Sequence, residues 1–344
     1  MNRPDRFYMN NCKIAQELYK KEIPAMKKQR VDVGNGCLVS YAVKTGSSMT
    51  WLEKLLCDAV YTLWLTRRFE RQGILRGTVT ITVTELLACM SGSGTIRIRQ
   101  AEPGGISKEQ RLADSLERLG QMDIAIWWEE EIERRRLTDV PEVLAGKLLP
   151  LRRISGTNRF HLDLDRGLPL YEYASAIHQI IRIPMELLTC GETVLADGSV
   201  VPSLKLKNSD TVIQMKHLLL QRCELLRNPK NGFSNRSLRY CYPSHKQAGR
   251  LDGLLPIMGI REEDFSTGAW SNKKQAVHKQ MKALLDYYCA VGYLTGYHET
   301  RGGDGKRSSI IGIDLEGDIR NPESCFHTKK KEEAACMFRE KPIE

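Results

Sequence analysis

The chain has 344 residues, 41% hydrophobic and 27% charged, which fits about two folded domains at ~150 residues each and excludes a disordered polyelectrolyte. No apolar run approaches the ~18 residues of a membrane span, so the sequence predicts a water-soluble protein with no membrane partner. Lys+Arg 52 against Asp+Glu 42 leaves a formal charge of +10, which makes a polyanion the first partner to consider.

Residues 1–48 read as an arm, in which RVDVGNGCLVSYAV sets Asn35-Gly36 between two β-prone runs, a hairpin signal. From Thr50 the period changes. TWLEKLLCDAVYTLWLTRR puts Leu52, Leu55, Leu56, Ala59, Val60, Leu63 and Trp64 on one stripe, with Thr50 as N-cap and Glu53 three residues on. Thr78 to Thr82 is a short strand, and Thr84 is the expected cap of a second helix that ends at Ser91-Gly92. Ser107 and Gln110 form the capping box of the helix SKEQRLADSLERLGQM; DIAIWW is β-prone, and Arg159 to Leu164 reads as a returning strand. Helix, strand, helix, helix, strand, long connection, strand is the order of a winged helix, with any other small α+β domain as the alternative.

The order then repeats. LPLYEYASAIHQII reads as a helix closing the first unit, residues 189–205 as a linker, and SLKLKN as a strand. Ser209 caps TVIQMKHLLLQRCELLRN, SNRSLRYC reads as a second helix, and a long helix runs from about Asn272 to Val291, capped by Ser271 or Asn272. GYLTGYHE, RGGDGKR and SSIIGIDL then read as strand, turn and strand, the wing. With KKKEE and no apolar period, the tail reads as solvated or disordered. The fold class expected is α+β: an arm over 1–48, winged-helix (helix-turn-helix) domains over 49–188 and 206–316 joined by the linker 189–205, and a flexible tail over 317–344.

With these segments in place the chain resembles the two-domain winged-helix replication initiators (Rep proteins) of bacterial plasmids and integrative elements. The likeness runs from about Met49 to Leu315. It is carried by the order and spacing of MTWLEKLLCDAVYTLW, ITVTELLACMSG, ISKEQRLADSLERLGQMDIAI, KLLPL, LPLYEYASAIHQIIRIPMELL, LLLQRCELLRNPKNGFSNRSLRY and KQMKALLDYYCAVGYLTGY. The stretch Tyr242 to Ala269 departs from it, being longer than a minimal helix-turn-helix connection. The resemblance implies binding to repeats in double-stranded DNA at a replication origin, distortion of the duplex, and recruitment of host replication proteins such as the replicative helicase. It also implies repression of the protein's own promoter as a homodimer. A winged-helix transcription regulator without a replication role is the alternative.

Charge falls where such a fold would use it. Between Thr211 and Arg250 eight Lys or Arg oppose Glu224 alone, and Arg236 and Arg239 are candidate phosphate contacts on the second helix. The long helix opens with Asn272, Lys273, Lys274, Gln275, His278, Lys279 and Lys282, donors suited to phosphates or base edges near a helix N-terminus. In the first domain the matching helix carries Lys108, Arg111 and Arg118 among Glu109, Asp114 and Glu117, a weaker case. A solvated basic face is the competing reading of all of these.

Arg301, Lys306 and Arg307 in the wing are further backbone contacts. RGGDGKR fails as a phosphate-binding loop, because Thr300 and Arg307 stand where that pattern needs Gly and Ser or Thr. Tyr287-Tyr288 lacks the closely spaced histidines of a nicking enzyme, Asp163 and Asp165 lack the partners of a primase or nuclease, and Glu129, Glu130, Glu131 and Glu133 read as a solvated acidic edge. The ten cysteines contain no Cys-x-x-Cys pair, and the start, MNRPDRFYMNNCKIAQ, has no signal-peptide pattern. The expectation is a cytoplasmic DNA-binding protein with no metal, no cofactor and no catalytic activity.

Overall fold

The computed structural model describes residues 4–20, 22–44, 46, 49–70, 73–92, 107–195, 197–229, 232–241, 253–302 and 309–326. The chain is α+β and divides into two units. The first comprises Met1–Thr189, Asn208–His217 and Pro256–Ile260, and the second Cys190–Lys207, Leu218–Leu255 and Arg261–Glu344. The main segment of the first unit ends at Thr189. The second unit, however, does not take over cleanly at 206, because Asn208–His217 belongs to the first.

Residues 1–48 are not an arm. Strand β1 (Arg6–Asn10) and helix α1 (Lys13–Lys20) are followed by the hairpin β2 (Gln29–Asp32) and β3 (Leu38–Val43), with Asn35 and Gly36 both at positive φ as its tight turn requires. The reason β1 joins the unit lies in helix α2 (Trp51–Arg68). The Thr50/Glu53 capping box is present as read, and the apolar stripe is buried apart from the half-buried Leu52. Yet Lys54, Asp58 and Thr62, spaced four apart on another face, are buried too. Buried charge needs partners. Lys54 Nζ lies 2.5 Å from Asp58 Oδ2, while the Asn10 N–H and the Tyr171 hydroxyl donate to Asp58 Oδ1 at 3.0 and 2.9 Å. The Tyr8 N–H donates to Thr62 Oγ1 at 3.0 Å. Strand β1 is thus a wall of the first unit's core.

Strand β4 (Thr78–Thr82) leads into α3 (Val83–Ser91), whose cap is Thr82 in a box with Glu85 rather than Thr84. Ser107 caps α4 (Lys108–Gln121), as expected, by accepting the Gln110 N–H. Strand β5 (Asp123–Trp127), helix α5 (Glu129–Arg135) and strand β6 (Val143–Lys147) come next, and β2, β3, β5 and β6 form one antiparallel sheet in that order. Glu131 in α5 is not part of a solvated edge: it is fully buried and accepts from Arg134, Arg135 and the Tyr173 hydroxyl. Strands β7 (Leu151–Arg153) and β8 (Arg159–Asp163) return to β4 in the order β4-β8-β7.

The segment read as one closing helix is helix α6 (Pro169–Ala176) followed by strand β9 (Ile180–Pro184), which pairs with β1. His178, at positive φ, marks the break between them. Helix α7 (Met185–Thr189) follows, then a small ladder of β10 (Thr193–Val194) and β11 (Val200–Val201) inside the expected linker. SLKLKN forms no strand.

Helix α8 (Asp210–Arg227) begins under a Ser209 side chain that accepts the Val212 N–H, as the sequence indicates. SNRSLRYC is not a helix: it supplies β12 (Ser237–Arg239), with Leu238 and Tyr240 buried in alternation. Helix α9 (Leu254–Ile257), whose last two residues fall in the first unit, is followed by a 3-10 turn at Glu262–Asp264, helix α10 (Thr267–Ala290) and the hairpin β13 (Leu294–Gly302) and β14 (Ser309–Ile319), which complete the second unit with strand order β12-β14-β13. The expected tail is ordered at its start, since β14 runs to Ile319 and helix α11 covers Pro322–Cys325.

Within the first unit His217 is fully buried, its Nε2 bonded to the Met90 carbonyl at 2.7 Å and its ring against Phe7. Burial, reinforced by the charges of Lys54 and Lys216, pulls its pKa down from 6.5 to about 3. As pH falls from 6.5 toward 3, the unfolded chain binds a proton that the folded chain refuses, so stability drops across that window. The loss should reach roughly 4 kcal/mol at its acid end. His217→Gln should flatten that part of the stability curve in urea titrations, and an unchanged curve would show that another group governs it.

Candidate nucleic-acid interface

Helix α10 starts five residues before the expected Asn272, at Thr267 behind the N-cap Ser266. Trp270 sets the start: it is 4% exposed, and its ring meets Phe265 on the incoming chain. Trp270, Val277, Met281, Leu284, Leu285 and Tyr288 form the buried stripe. Opposite them, Asn272, Gln275, Lys279 and Lys282 are exposed at spacings of three and four, so they share one solvent face. They begin in the second turn, so the dipole at the helix start does not act on them strongly.

The remaining sequence candidates on α10 separate by contact. Lys273 is half-buried, and Lys274 lies over the Trp270 ring at 5.6 Å. His278 turns inward, with Nδ1 2.8 Å from the Tyr240 hydroxyl and Nε2 3.1 Å from Glu299 Oε1. A neutral ring can accept from the tyrosine and donate to the carboxylate at once. Core packing also accounts for Tyr287 and Tyr288, both buried.

Arg236 and Arg239 are not on a helix that crosses a backbone, because their segment is a strand. Arg236 is exposed and donates to the Gly317 carbonyl at 2.6 Å. Arg239 lies across the sheet, donating to Thr300 Oγ1 at 2.6 Å and Asp314 Oδ1 at 3.2 Å. Burial raises the Asp314 pKa, but hydrogen bonds from Ser237 and Thr300 together with Arg239 outweigh it and hold the carboxyl below the usual range. Arg239 is therefore internally neutralised. Arg301 on β13 is 59% exposed, with its guanidinium 3.7 Å from Glu299 Oε2. Lys306 and Arg307 lie outside the described residues.

In the first unit the cations of α4 are largely engaged. Lys108 pairs with Asp210, and Arg118 donates to Glu53 Oε1 at 2.5 Å. Burial pushes the Glu53 carboxyl up, but the Thr50 backbone N–H and Arg118 hold it below its ordinary pKa. Two acids of α4 are taken by Arg153, which meets Asp114 at 2.8 Å and Glu117 at 2.9 Å. Arg111 is exposed and forms no ion pair among the described residues.

The second unit thus sets Asn272, Gln275, Lys279 and Lys282 on one face of α10, and Glu299 stands between Lys282 and Arg301, which lies toward the turn end of the β13–β14 hairpin. Glu299, Tyr240 and Asp314, which organise that surface, escape a reading of the sequence alone; the alternation of Tyr297, Glu299 and Arg301 along one strand is the signal for the first. Among the described residues no group of three or more His, Cys, Asp or Glu could hold a metal ion, and no helix is long and apolar enough to cross a membrane.

The sheet that carries this surface depends on close approach at Gly312, opposite Arg239 and Thr300. A Cβ there would collide with the Leu238 carbonyl oxygen and come within 2.9 Å of Arg239 Cδ. Because the obstacle is backbone, Gly312→Ala should cost ~1–3 kcal/mol of stability, read by denaturant unfolding. Unchanged stability would mean that β12 does not pair at this point. No protein-family model, curated protein or solved structure matches the chain.

Proposed function

We propose that this chain is a sequence-specific double-stranded DNA-binding protein built on two tandem winged-helix domains, and that it initiates replication at a plasmid or mobile-element origin. The observation that carries the reading is a repeated topology. In chain order the first unit has α2, β4, α3, α4, β7 and β8, with strand order β4-β8-β7. From α8 onward come β12, α9, α10, β13 and β14, with strand order β12-β14-β13. Helix, strand, two helices and a hairpin whose second strand lies centrally is the winged-helix arrangement. The first copy carries an insertion, β5-α5-β6, between its third helix and its hairpin, completed by β2 and β3.

In this reading α10 is the recognition helix and β13–β14 the wing. Asn272 and Gln275 have the amide chemistry to read base edges, while Lys279, Lys282 and Arg301 suit phosphates. The first domain, with Lys108 and Arg118 of α4 engaged internally, contributes less to sequence discrimination. The role at an origin, the recruitment of host replication proteins such as the helicase, autorepression as a homodimer, the cytoplasmic location and the absence of catalysis rest on the resemblance of the sequence to plasmid initiators.

The test places the gene with its flanking DNA on a circle lacking any other origin, in parallel with Lys279→Ala/Lys282→Ala. Maintenance by the wild type and its loss in the double variant is the expected outcome. In binding assays the same variant should flatten the dependence of log K on log salt by about 2, near 0.9 for each phosphate that is no longer neutralised. A protein that binds duplex DNA but maintains no circle with any flanking segment would be a transcription regulator instead.

A further inference from the structure

One carboxylate joins the helix face to the wing. Glu299 Oε1 lies 3.1 Å from His278 Nε2 and 3.9 Å from Lys282 Nζ, and its Oε2 lies 3.7 Å from Arg301. The side chains of Lys282 and Arg301 are 53% and 59% exposed, whereas that of Glu299 is 23% exposed. His278 is fixed on its far side by Tyr240, and two helical turns further along α10 the Tyr297 hydroxyl donates to Asp286. The helix is therefore tied to β13 at two places, and at one of them the tie is an acid set between two outward-facing cations.

A carboxylate at a phosphate-binding surface weakens attraction for every duplex alike, so its presence between Lys282 and Arg301 calls for a compensating role. We propose that Glu299 is a positioning residue for sequence discrimination. It holds Lys282 and Arg301 at a fixed separation and offsets their charge, so that both become available only to a backbone whose path matches that separation. An arbitrary duplex meets a partly neutralised surface, and a cognate one displaces the cations from the carboxylate together. This inference rests on the reading of α10 and the wing as a DNA interface.

Glu299→Gln keeps the shape and an acceptor for His278 while removing the charge, and Glu299→Asp keeps the charge on a shorter stem. Each full-length variant is compared with the wild type on two probes: a duplex selected by the wild-type protein from a randomised pool, and a scrambled duplex of the same composition. Glu299→Gln should bind the scrambled duplex about threefold or more tightly, with a smaller gain on the selected one, so the ratio of specific to nonspecific affinity falls. Glu299→Asp should retain more of the wild-type ratio.

Equal strengthening on both duplexes would reduce Glu299 to a counter-charge and overturn the proposal, as would no change or a weakening on both. If Glu299→Gln does not fold by circular dichroism, Lys282→Gln carries the test from the exposed partner: it should lose more affinity for the selected duplex than for the scrambled one, and an equal loss overturns the proposal. A wild-type protein that binds neither duplex removes the DNA-interface reading itself, whereas normal binding with an unchanged ratio in the variants removes only the role of Glu299.

Discussion

In both three-stranded sheets the strand that arrives last lies in the middle. β8 is hydrogen-bonded between β4 and β7, and β14 between β12 and β13. A strand in that position cannot pair on both sides until the chain between its two neighbours has been laid down, and among the described residues that chain contains α3, α4 and α5 in the first unit and α9 and α10 in the second. The sheet therefore closes the segment into a loop whose helices must pack before or as the hairpin forms. This one constraint sets the place of α4 and α10, and hence which of their faces is left to solvent. Gly312 shows how tight the closure is, since the central strand approaches β12 too closely there for any side chain.

Given that scaffold, the fate of each cation is decided by its nearest acid. A net charge of +10 suggests a broadly basic surface, but much of the basic character is consumed locally. Lys54 is buried against Asp58, Arg118 reaches Glu53, Arg153 spans Asp114 and Glu117, and Arg239 is held by Asp314. Pairs that are partly exposed contribute little to stability, so their main consequence is to remove charge from the outer field. Exposed cations of the second unit include Arg236, Arg261 and Arg320 as well as Lys279, Lys282 and Arg301, but Lys279 and Lys282 share one face of α10 with Asn272 and Gln275, and this clustering supports the functional reading more than net charge does.

The elements written in strong local chemistry are legible in the sequence. The Thr50 and Ser107 caps, the Asn35-Gly36 hairpin, the strand Thr78–Thr82 and the β13–β14 hairpin all fall where propensity, period and turn residues agree. Sequence and structure part where tertiary burial overrides local signals. Lys54, Asp58 and Thr62 are polar residues on a helix, which read as solvent-facing until β1 is seen to cover them. Ser271-Asn272 has cap-like chemistry, but burial of Trp270 extends α10 past it to Ser266. SNRSLRYC is too short for a helical period, and the alternation of Leu238 and Tyr240 is the better guide to a strand. Of the candidate site, the residues on one exposed face of α10 are visible in the sequence, whereas the pairing of Arg239 depends on contacts across the sheet and that of Glu299 on contacts between α10 and β13, which no single segment encodes.

The central claim is that the exposed face of α10 meets duplex DNA, and the most direct measurement is photo-crosslinking from that face. A photoreactive amino acid placed at position 275 of the full-length protein, irradiated with duplex DNA at a salt concentration where the protein is bound, should attach to bases or sugars of the duplex. The same probe placed at Arg301 should attach to the adjoining backbone. Crosslinks from Arg111 but none from position 275, in a preparation that binds the duplex with unchanged affinity, would contradict the account.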